Sequence, residues 1–512
     1  MDLIIPQNLP NQLKKHQIYS QLNKFNLQYC PKYLQKTLNE LYESTIKSLQ
    51  PIFNYSFTGK EISTPTHSQQ INTIVWQFGH LILFYLNSVI RLLSNHNLLK
   101  ENSEYVIKII EYLSNDINLP ESHIHYYDYY DSFITSSKTR LYLLNKVSIK
   151  NLRHAYTLVI ELITIYLEDK IKTETHLNPI DSYLIMLGIL HNDMHYEAIL
   201  FTQYFLNYPK PQHFIMPSLN LIKTPKPLEI EFVNITSSIF KQGCNNNVFS
   251  SGQFIFDNEK PQFEVEMSSF EVSKYPITEG QYLKFIEDNG YLKKQYWCLA
   301  SWNWLKKYDI NAPQCWDYDE IIDTDNSNLK YEFIIKKKIW FKTIWNNRIK
   351  IDPSLNYPVT HISWFEAKAF CKWAKCRLIK ESEWEYLATN SNSTKYPWGN
   401  EAPTTKFCNI DYSNGGILPV NYYELENKES NNESVSQLIG NVWEWCEEVI
   451  YPYDGFIIDP VYREMSYPYF GEKRICRGGA WSTSSYLISS TYRNAQPSDC
   501  RLQWIGFRVC RD

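Results

Sequence analysis

The 512-residue chain has no long uninterrupted apolar run. Its most apolar window, residues 74–93, is broken by Gln77, His80, Asn87 and Arg91, whose side chains would be costly to place in a bilayer. We therefore expect this window to form a buried helix, and we expect no membrane-spanning segment.

The chain also has no long block of charge of one sign. Its 51 Lys and Arg residues stand against 55 Asp and Glu residues, which gives a formal net charge of −4. Proteins that bind nucleic acids or anionic membrane surfaces usually carry a basic patch. We therefore expect no nucleic-acid or membrane partner, and we expect a monomer that binds small-molecule substrates.

The eleven cysteines are scattered, odd in number and without the paired spacing of a metal site. Residues 1–15 lack the charged-then-apolar layout of a signal peptide. Both features fit a reducing compartment, so we expect a cytoplasmic protein.

Glycine is scarce in residues 1–207, where apolar residues recur at three- and four-residue spacing over 74–93, 152–167 and 180–206. This pattern predicts a helical bundle. Five prolines among short apolar pieces then predict a linker over residues 208–232. A chain of this length is expected to contain more than one domain.

Residues 233–512 are richer in aromatic residues, glycine and asparagine, and their strands look short. Two helices stand out, each after an N-cap candidate followed by an acidic first turn, Thr278 and Ser363. This texture predicts a compact α+β domain with many loops.

Two histidines lie four residues apart in the apolar run "GILHNDMHYEAILFTQYFL". On a helix, His191 and His195 share one face and point into the bundle, and His80 lies in another apolar helix. They are either hydrogen-bonded core histidines or a facial three-nitrogen metal site with open positions. Three histidines in polar, loop-like surroundings compete for the third position: His67, His123 and His125.

The residues around His191 and His195 limit which metal chemistry the site could support. Asn192 follows the first histidine, so the zinc-protease pattern with a general-base Glu is absent. Glu197 falls off the ligand face and is expected next to the site or in solvent rather than on the metal. Met194 is expected to pack.

Five ordered blocks of the C-terminal half resemble the formylglycine-generating-enzyme (sulfatase-modifying-factor) fold, a variant of the C-type-lectin fold. The blocks are residues 254–291, "YPVTHISWFEAKAFCKWAKCRLIKESEWEYLA", "YPWGN", "LIGNVWEWCEE" and residues 475–512. In that family two copper-binding cysteines follow the RGG block, whereas residues 481–488 contain none. The resemblance therefore does not extend to the copper chemistry.

The N-terminal motifs "WQFGH" and "HNDMHYE" resemble the iron-ligand motifs of sulfoxide synthases, in which a DinB-like bundle precedes this domain. This combination of motifs and domains resembles the ergothioneine-pathway hercynylcysteine sulfoxide synthases (EgtB-type). The resemblance implies that His80, His191 and His195 hold a non-haem Fe(II). It also implies a reaction in which a cysteine-type thiol, the imidazole of a histidine derivative and O2 form a C–S bond and a sulfoxide.

The same resemblance suggests roles for further residues. A tyrosine near the iron donates a proton, and Tyr462 matches it, with Tyr453 as the alternative. Asn494 matches a contact to the betaine or carboxylate of the imidazole substrate, Arg501 offers a fork to a carboxylate, and Arg140 matches an arginine that binds the thiol substrate.

Other residues are expected to be structural or depart from the pattern. Ala495 and Gln496 stand where an aromatic and an acidic residue are expected, which leaves the thiol partner open. Arg493 either offers a fork to a carboxylate or, like Arg508, is a structural group buried against the tryptophans of "GNVWEWC". The Gly478-Gly479 pair is expected to turn with positive φ. The tryptophans of the blocks are expected to form scaffold: Trp364, Trp384, Trp398, Trp443, Trp445 and Trp481.

Three alternatives remain at this point. One is an ovothiol- or selenoneine-type synthase of the same family, although the absence of a methyltransferase domain after Asp512 favours hercynine over histidine as the acceptor. Another is a DinB-like thiol transferase or hydrolase that uses the same histidines around zinc or nickel. The third is a non-catalytic binding module.

Overall fold

The computed structural model describes much of the chain at the level of individual residues. The described residues are 31–53, 71–93, 103–114, 129–132, 140, 148–173, 177–206, 208–212, 214, 226–245, 254–322, 336–423 and 435–512. His67, His123 and His125 lie outside these ranges.

The N-terminal region is helical, as predicted. Its helices are α1 (Pro31–Phe53), α2 (Ile74–Phe84), α3 (Glu104–Ser114), α4 (Ile149–Lys172) and α5 (Pro179–Phe205). Helices α1 and α3 pack against α4, and α2 packs against α5. The two most apolar helices are therefore neighbours in the bundle.

Helix α2 begins after Thr73, whose side chain accepts a hydrogen bond from the Trp76 amide. Every residue of α2 is buried, and the helix continues as a π-helical turn over Tyr85–Ile90. This explains the apolar window, since α2 has protein on all sides. None of the helices in the described ranges has both the length and the apolar character needed to cross a bilayer.

The C-terminal region combines short strands with short helices. Its strands are β1 (Phe232–Ile235), β2 (Ser238–Gln242), β3 (Phe263–Met267), β4 (Phe270–Ser273), β5 (Trp316–Ile322), β6 (Lys336–Ile344), β7 (Asn347–Lys350), β8 (Arg377–Leu378), β9 (Trp443–Val449), β10 (Arg474–Arg477), β11 (Asn494–Gln496), β12 (Ile505–Gly506) and β13 (Val509–Arg511). Two four-stranded sheets have the orders β1-β4-β13-β8 and β11-β10-β9-β12. The smaller sheets are β2-β3 and β5-β6-β7, and all pairs are antiparallel except β9 with β12.

Both predicted C-terminal helices are confirmed. Helix α6 (Glu279–Glu287) and helix α8 (Trp364–Trp373) begin after Thr278 and Ser363, each in a capping box. Two helices were not predicted: α7 (Leu299–Lys307) and α9 (Glu381–Ala388).

In the described ranges, most side-chain hydrogen bonds between the N-terminal helices and the C-terminal region come from helix α5. The Tyr183 hydroxyl donates to Asp459 near its start, and the Tyr204 hydroxyl donates to the Thr343 carbonyl near its end, over 2.6 Å. The same helix supplies two of the candidate ligands, so its docking fixes where they lie relative to the C-terminal domain.

His361 packs against the last turn of α5 and makes this contact sensitive to acid. Its ring stacks on Tyr204 at 5.2 Å and meets Phe205 edge-on at 5.0 Å. Burial lowers the pKa of His361 to about 3, so the folded protein keeps this ring neutral. The unfolded chain takes up a proton below about pH 6.5, so this contribution to stability is complete above that pH and is lost as the pH falls toward 3.

We expect His361→Phe to reduce the loss of stability between pH 7.5 and 5.5 by about 1.4 kcal/mol, because one proton per unfolded chain is removed from the linkage. Chemical denaturation at the two pH values measures this difference. The exposed His154→Phe on α4 is the matched control. Equal pH dependence in His361→Phe and the unchanged protein would contradict the assignment.

Candidate metal centre and cavity

Three histidines meet between α2 and α5: His80 and His191 are buried, and His195 is half-buried. His80 comes from α2, and His191 and His195 come from α5. One ring nitrogen of each lies within 4.8 Å of those of the other two, and this is the group that could hold a metal ion within the described ranges. The helical spacing predicted the pair on α5, and the packing of α2 against α5 brings the third ring to it.

The orientation of His80 is set by its surroundings. Its Nδ1 lies 2.7 Å from the Tyr130 carbonyl oxygen, which fixes Nδ1–H as the donor and leaves Nε2 for a ligand. The ring stacks on Trp76 with centroids 4.9 Å apart. A Cβ atom at Gly79 would lie 2.0 Å from the Tyr130 ring, so glycine is required for this close approach.

The two imidazoles on α5 have buried ring nitrogens that lack hydrogen-bond partners among the described residues. Neither ring nitrogen of His191 has a hydrogen-bond partner, nor does Nδ1 of His195, in the described part of the chain. Phe84 stacks on His191 with centroids 3.7 Å apart. Burial, and then the neighbouring imidazoles, hold the pKa values of His191 and His195 well below their usual range.

Neutral imidazoles with unpartnered lone pairs are costly to bury unless something binds them. A divalent transition metal satisfies all three nitrogens at once, and a three-nitrogen donor set suits Fe, Zn, Cu or Ni. The residues present therefore fit a bound metal.

A cavity of about 370 Å³ opens beside the histidines, between the bundle and the C-terminal domain. It is lined by Asn72, Trp76, His80, Ser132, Arg140, Met194, His195, Glu197, Ala198, Phe201, Trp443, Tyr462, Glu464, Met465, Pro468, Tyr469, Lys473, Tyr492, Asn494, Gln496 and Gln503. Three residues chosen from the sequence for chemistry other than metal binding, Arg140, Tyr462 and Asn494, are thus brought to one cavity.

Tyr462 packs directly against the histidine cluster. Its ring stands edge-on to His191 at 5.5 Å and to Phe84 at 5.4 Å. Burial and the nearby Glu464 carboxylate raise the pKa of Tyr462 well above its usual range, so its hydroxyl stays protonated. Tyr453 lies elsewhere, under the Arg493 guanidinium at 4.0 Å.

Arg140 forms a cationic wall of the cavity. It donates to Asn72 Oδ1 over 2.9 Å and to the Ser132 carbonyl over 2.7 Å, and it lies 4.1 Å from the centre of the Trp76 ring. Its charge also contributes to the lowered pKa of His195. These contacts position the guanidinium close to the candidate ligands.

The structure does not bring Arg501 to the cavity. Its guanidinium is buried against Glu366, with Nε 3.0 Å from Oε2, and donates to Gln314. Arg493 is likewise bound to Glu381 and Arg508 to Glu444. These three arginines stabilise the domain through buried ion pairs. The Arg501 guanidinium, which was expected to bind a substrate carboxylate, instead binds the carboxylate of Glu366.

Two carboxylates of the cavity were not singled out as functional. Glu464 lies two residues after Tyr462, accepts a hydrogen bond from Ser132 over 2.7 Å and has Oε2 3.7 Å from His80 Nε2. Its position two residues after Tyr462 was the feature of the sequence that could have identified Glu464 as a site residue. The second carboxylate is Glu197.

Glu197 is buried rather than solvent-facing, and it joins the two regions. It accepts hydrogen bonds from Trp443 Nε1 at 2.9 Å, Thr483 Oγ1 at 2.9 Å and Ser482 Oγ at 3.2 Å. Trp443 is therefore both scaffold and cavity wall. Gly478 and Gly479 turn just before these hydroxyls with φ of +96° and +78°, as predicted.

We expect Glu197→Ala to lower the free energy of unfolding of the metal-free protein by about 2–4 kcal/mol, because three buried donors lose their acceptor. Urea denaturation measures this change. Glu161→Ala, at an exposed position of α4, is the control and should change stability by less than about 0.5 kcal/mol. Similar values for the two variants would show that Glu197 does not hold the regions together.

Two curated hercynine oxygenases are similar to this chain. Hercynine oxygenase from Mycobacterium tuberculosis is 30% identical over 261 residues, which cover 50% of this chain and 56% of that protein. Hercynine oxygenase from Mycolicibacterium thermoresistibile is 29% identical over 268 residues, 51% of this chain and 54% of that protein. The chain thus spans about half the length of these curated relatives.

Formylglycine-generating enzyme from Thermomonospora curvata is 25% identical over 315 residues, 57% of this chain and 96% of that enzyme. The solved structure of PvdO from Pseudomonas aeruginosa aligns with a TM-score of 0.35 at 19% identity, over 56% of this chain and 100% of that one. Residues 223–512 match the family described as sulfatase-modifying factor enzyme 1-like domain. Since these residues make up more than half of the chain, it belongs to the sulfatase-modifying factor enzyme 1-like family.

Proposed function

We propose that this chain is a non-haem Fe(II)- and O2-dependent sulfoxide synthase. It joins a cysteine-type thiol to the imidazole of a histidine derivative, with hercynine as the first candidate. The observation that carries the proposal is the cluster of three imidazoles, in which neither ring nitrogen of the buried His191 has a hydrogen-bond partner in the described ranges, beside a cavity lined by Arg140 and Tyr462. The similarity to hercynine oxygenases supports it, and the N-terminal helices are taken as a DinB-like bundle.

The proposed reaction is balanced with O2 as the sole oxidant. A thiol and an imidazole lose their S–H and C–H hydrogens, one oxygen atom becomes the sulfoxide, and the other leaves as water with both hydrogens. His80, His191 and His195 would hold the metal. When bound, Fe(II) supplies the one-electron steps by which O2 reacts with a thiol and an imidazole.

Arg140 binds the carboxylate of the thiol substrate in this proposal. The guanidinium is already held by Asn72, Ser132 and the Trp76 ring, so little side-chain freedom is lost when a ligand binds. A planar fork suits a carboxylate. The thiol is thereby held next to His195.

Tyr462 supplies a proton to the reacting substrates. Its raised pKa keeps the hydroxyl protonated at any working pH, which suits an acid rather than a base. The Asp459 carboxylate accepts hydrogen bonds from the backbone amides of Val461 and Tyr462 and so holds the turn that carries the ring.

Asn494 offers a polar contact to the imidazole substrate. Its side-chain oxygen accepts a hydrogen bond from the Ala495 amide over 2.7 Å, which leaves the side-chain NH2 group as the donor for a carboxylate. Ala495 is buried. Because it is an alanine, it cannot supply the contact that an aromatic side chain would make at this position.

Oxygen consumption by the anaerobically iron-loaded protein tests the proposal. Thiols (cysteine, γ-glutamylcysteine and a selenium analogue) are paired with hercynine or histidine, and products are identified by mass spectrometry. We expect iron-dependent O2 uptake and a coupled sulfoxide with at least one pair. No uptake with any pair would overturn the proposal, and turnover with zinc in the absence of O2 would instead identify a thiol transferase or hydrolase.

A further inference from the structure

Lys473 is a cation in the cavity wall that has no role in the function proposed above. It immediately precedes β10 and is half-buried, and its Nζ lies 3.5 Å from the centre of the Tyr469 ring. Gln496 of β11 also lines this cavity. The cavity wall thus contains a charged and a neutral polar side chain from the C-terminal domain.

No carboxylate of the described residues forms an ion pair with Lys473. The lining carboxylates, Glu197 and Glu464, are both engaged, the first by three donors and the second by Ser132. Burial lowers the pKa of Lys473 to about 8, so most of its population still carries a charge at pH 7. A half-buried ammonium whose closest partner is an aromatic ring is available to an anionic ligand.

We propose that Lys473 binds the carboxylate of one of the two substrates, in a cavity whose wall also carries the neutral Gln496 side chain. This inference rests on the proposed function for the identity of the substrates. The cavity then has two cationic groups from different parts of the chain, Arg140 from the bundle and Lys473 from the C-terminal domain. Two amino-acid-type substrates bring two carboxylates, one for each cation. A substrate analogue that lacks its carboxylate should therefore bind more weakly.

Binding of paired probes to the anaerobic iron-loaded protein tests the inference without turnover. The pairs are hercynine with its decarboxylated analogue, and cysteine with cysteamine, each titrated by calorimetry. Lys473→Met removes the charge and keeps the aliphatic stem on Tyr469, whereas Lys473→Arg keeps the charge. The control is Lys338→Met, which changes an exposed lysine outside the cavity that lies 3.9 Å from the Tyr318 ring.

We expect Lys473→Met to weaken binding of one carboxylate-bearing probe by about tenfold to a hundredfold and to leave its decarboxylated analogue unchanged. Lys473→Arg should retain most of the affinity, and Lys338→Met should match the unchanged protein. The pair that responds identifies which substrate carries the carboxylate. Equal weakening of both members of each pair, unchanged affinity for both acids, or no binding of any probe by the unchanged protein would overturn the inference.

Oxygen uptake separates this inference from the proposed function. If the unchanged protein consumes no O2 but Lys473→Met selectively weakens binding of a carboxylate-bearing probe, the role of Lys473 is supported and the proposed reaction is overturned. Normal coupling by a Lys473→Met protein with unchanged binding of both acids would support the reaction and overturn the role of Lys473.

Discussion

His195→Ala is expected to lose stoichiometric iron while the C-terminal domain stays folded. Removal of an outer-shell partner of a metal ligand already weakens binding by about tenfold to a hundredfold, so loss of one of three ligands should cost at least about a hundredfold. The Nδ1 atom of His195 makes no hydrogen bond in the described chain, so its loss leaves no protein partner unpaired there. Iron per chain after gel filtration measures the effect.

Two further variants sharpen this test. His80→Ala removes the ligand contributed by α2 and should lose iron to the same extent, which tests the contact between helices separately. The exposed His154→Ala on α4 should retain iron. Near-ultraviolet circular dichroism, to which the buried tryptophans of the C-terminal domain contribute, should be unchanged in His195→Ala and His154→Ala. His80→Ala also removes the ring that stacks on Trp76, so a small change in this signal is expected there. Full iron content with normal turnover in His195→Ala would show that the ligand assignment is wrong.

Several helices and the histidine pair on α5 could be predicted because they depend on local patterns. Apolar spacing predicted α2, α4 and α5, and the N-cap residues Thr278 and Ser363 predicted α6 and α8. Helices α7 and α9 begin instead after Cys298 and Lys380, which are not typical N-cap residues, so their starts carried no such signal.

The rest of the site depends on which distant segments meet. Lys473 and Gln496 line the same cavity as Arg140 only after distant segments meet, and Glu197 finds its donors only when α5 docks on the turn after Gly479. Arg501 shows the opposite case, because a charged residue in a promising motif is bound by Glu366 from a helix more than a hundred residues away. Domain boundaries at 207 and 233 stay a prediction.

Tyr462→Phe is expected to change the products more than the stability. Removal of the hydroxyl keeps the ring against His191 and Phe84, so iron content and substrate binding should be close to those of the unchanged protein. Loss of a positioned general acid typically costs about a hundredfold or more in the step it assists. Coupling of thiol to imidazole should slow by that order.

The thiol also has a competing fate, because one O2 can convert a thiol to a sulfinic acid without the imidazole. Slower coupling in Tyr462→Phe should therefore raise the ratio of sulfinic acid to sulfoxide, measured by mass spectrometry at saturating thiol. Since the Tyr462 hydroxyl stays protonated, this ratio in the unchanged protein should not vary between pH 6 and 9 through its ionisation. Tyr453→Phe is the matched control, because the Tyr453 side chain lies outside the cavity. Its hydroxyl accepts a hydrogen bond of 3.1 Å from Gln242. An unchanged ratio in Tyr462→Phe together with a shifted ratio in Tyr453→Phe would move the acid role to Tyr453, and lower stability with an unchanged ratio would make Tyr462 a packing residue.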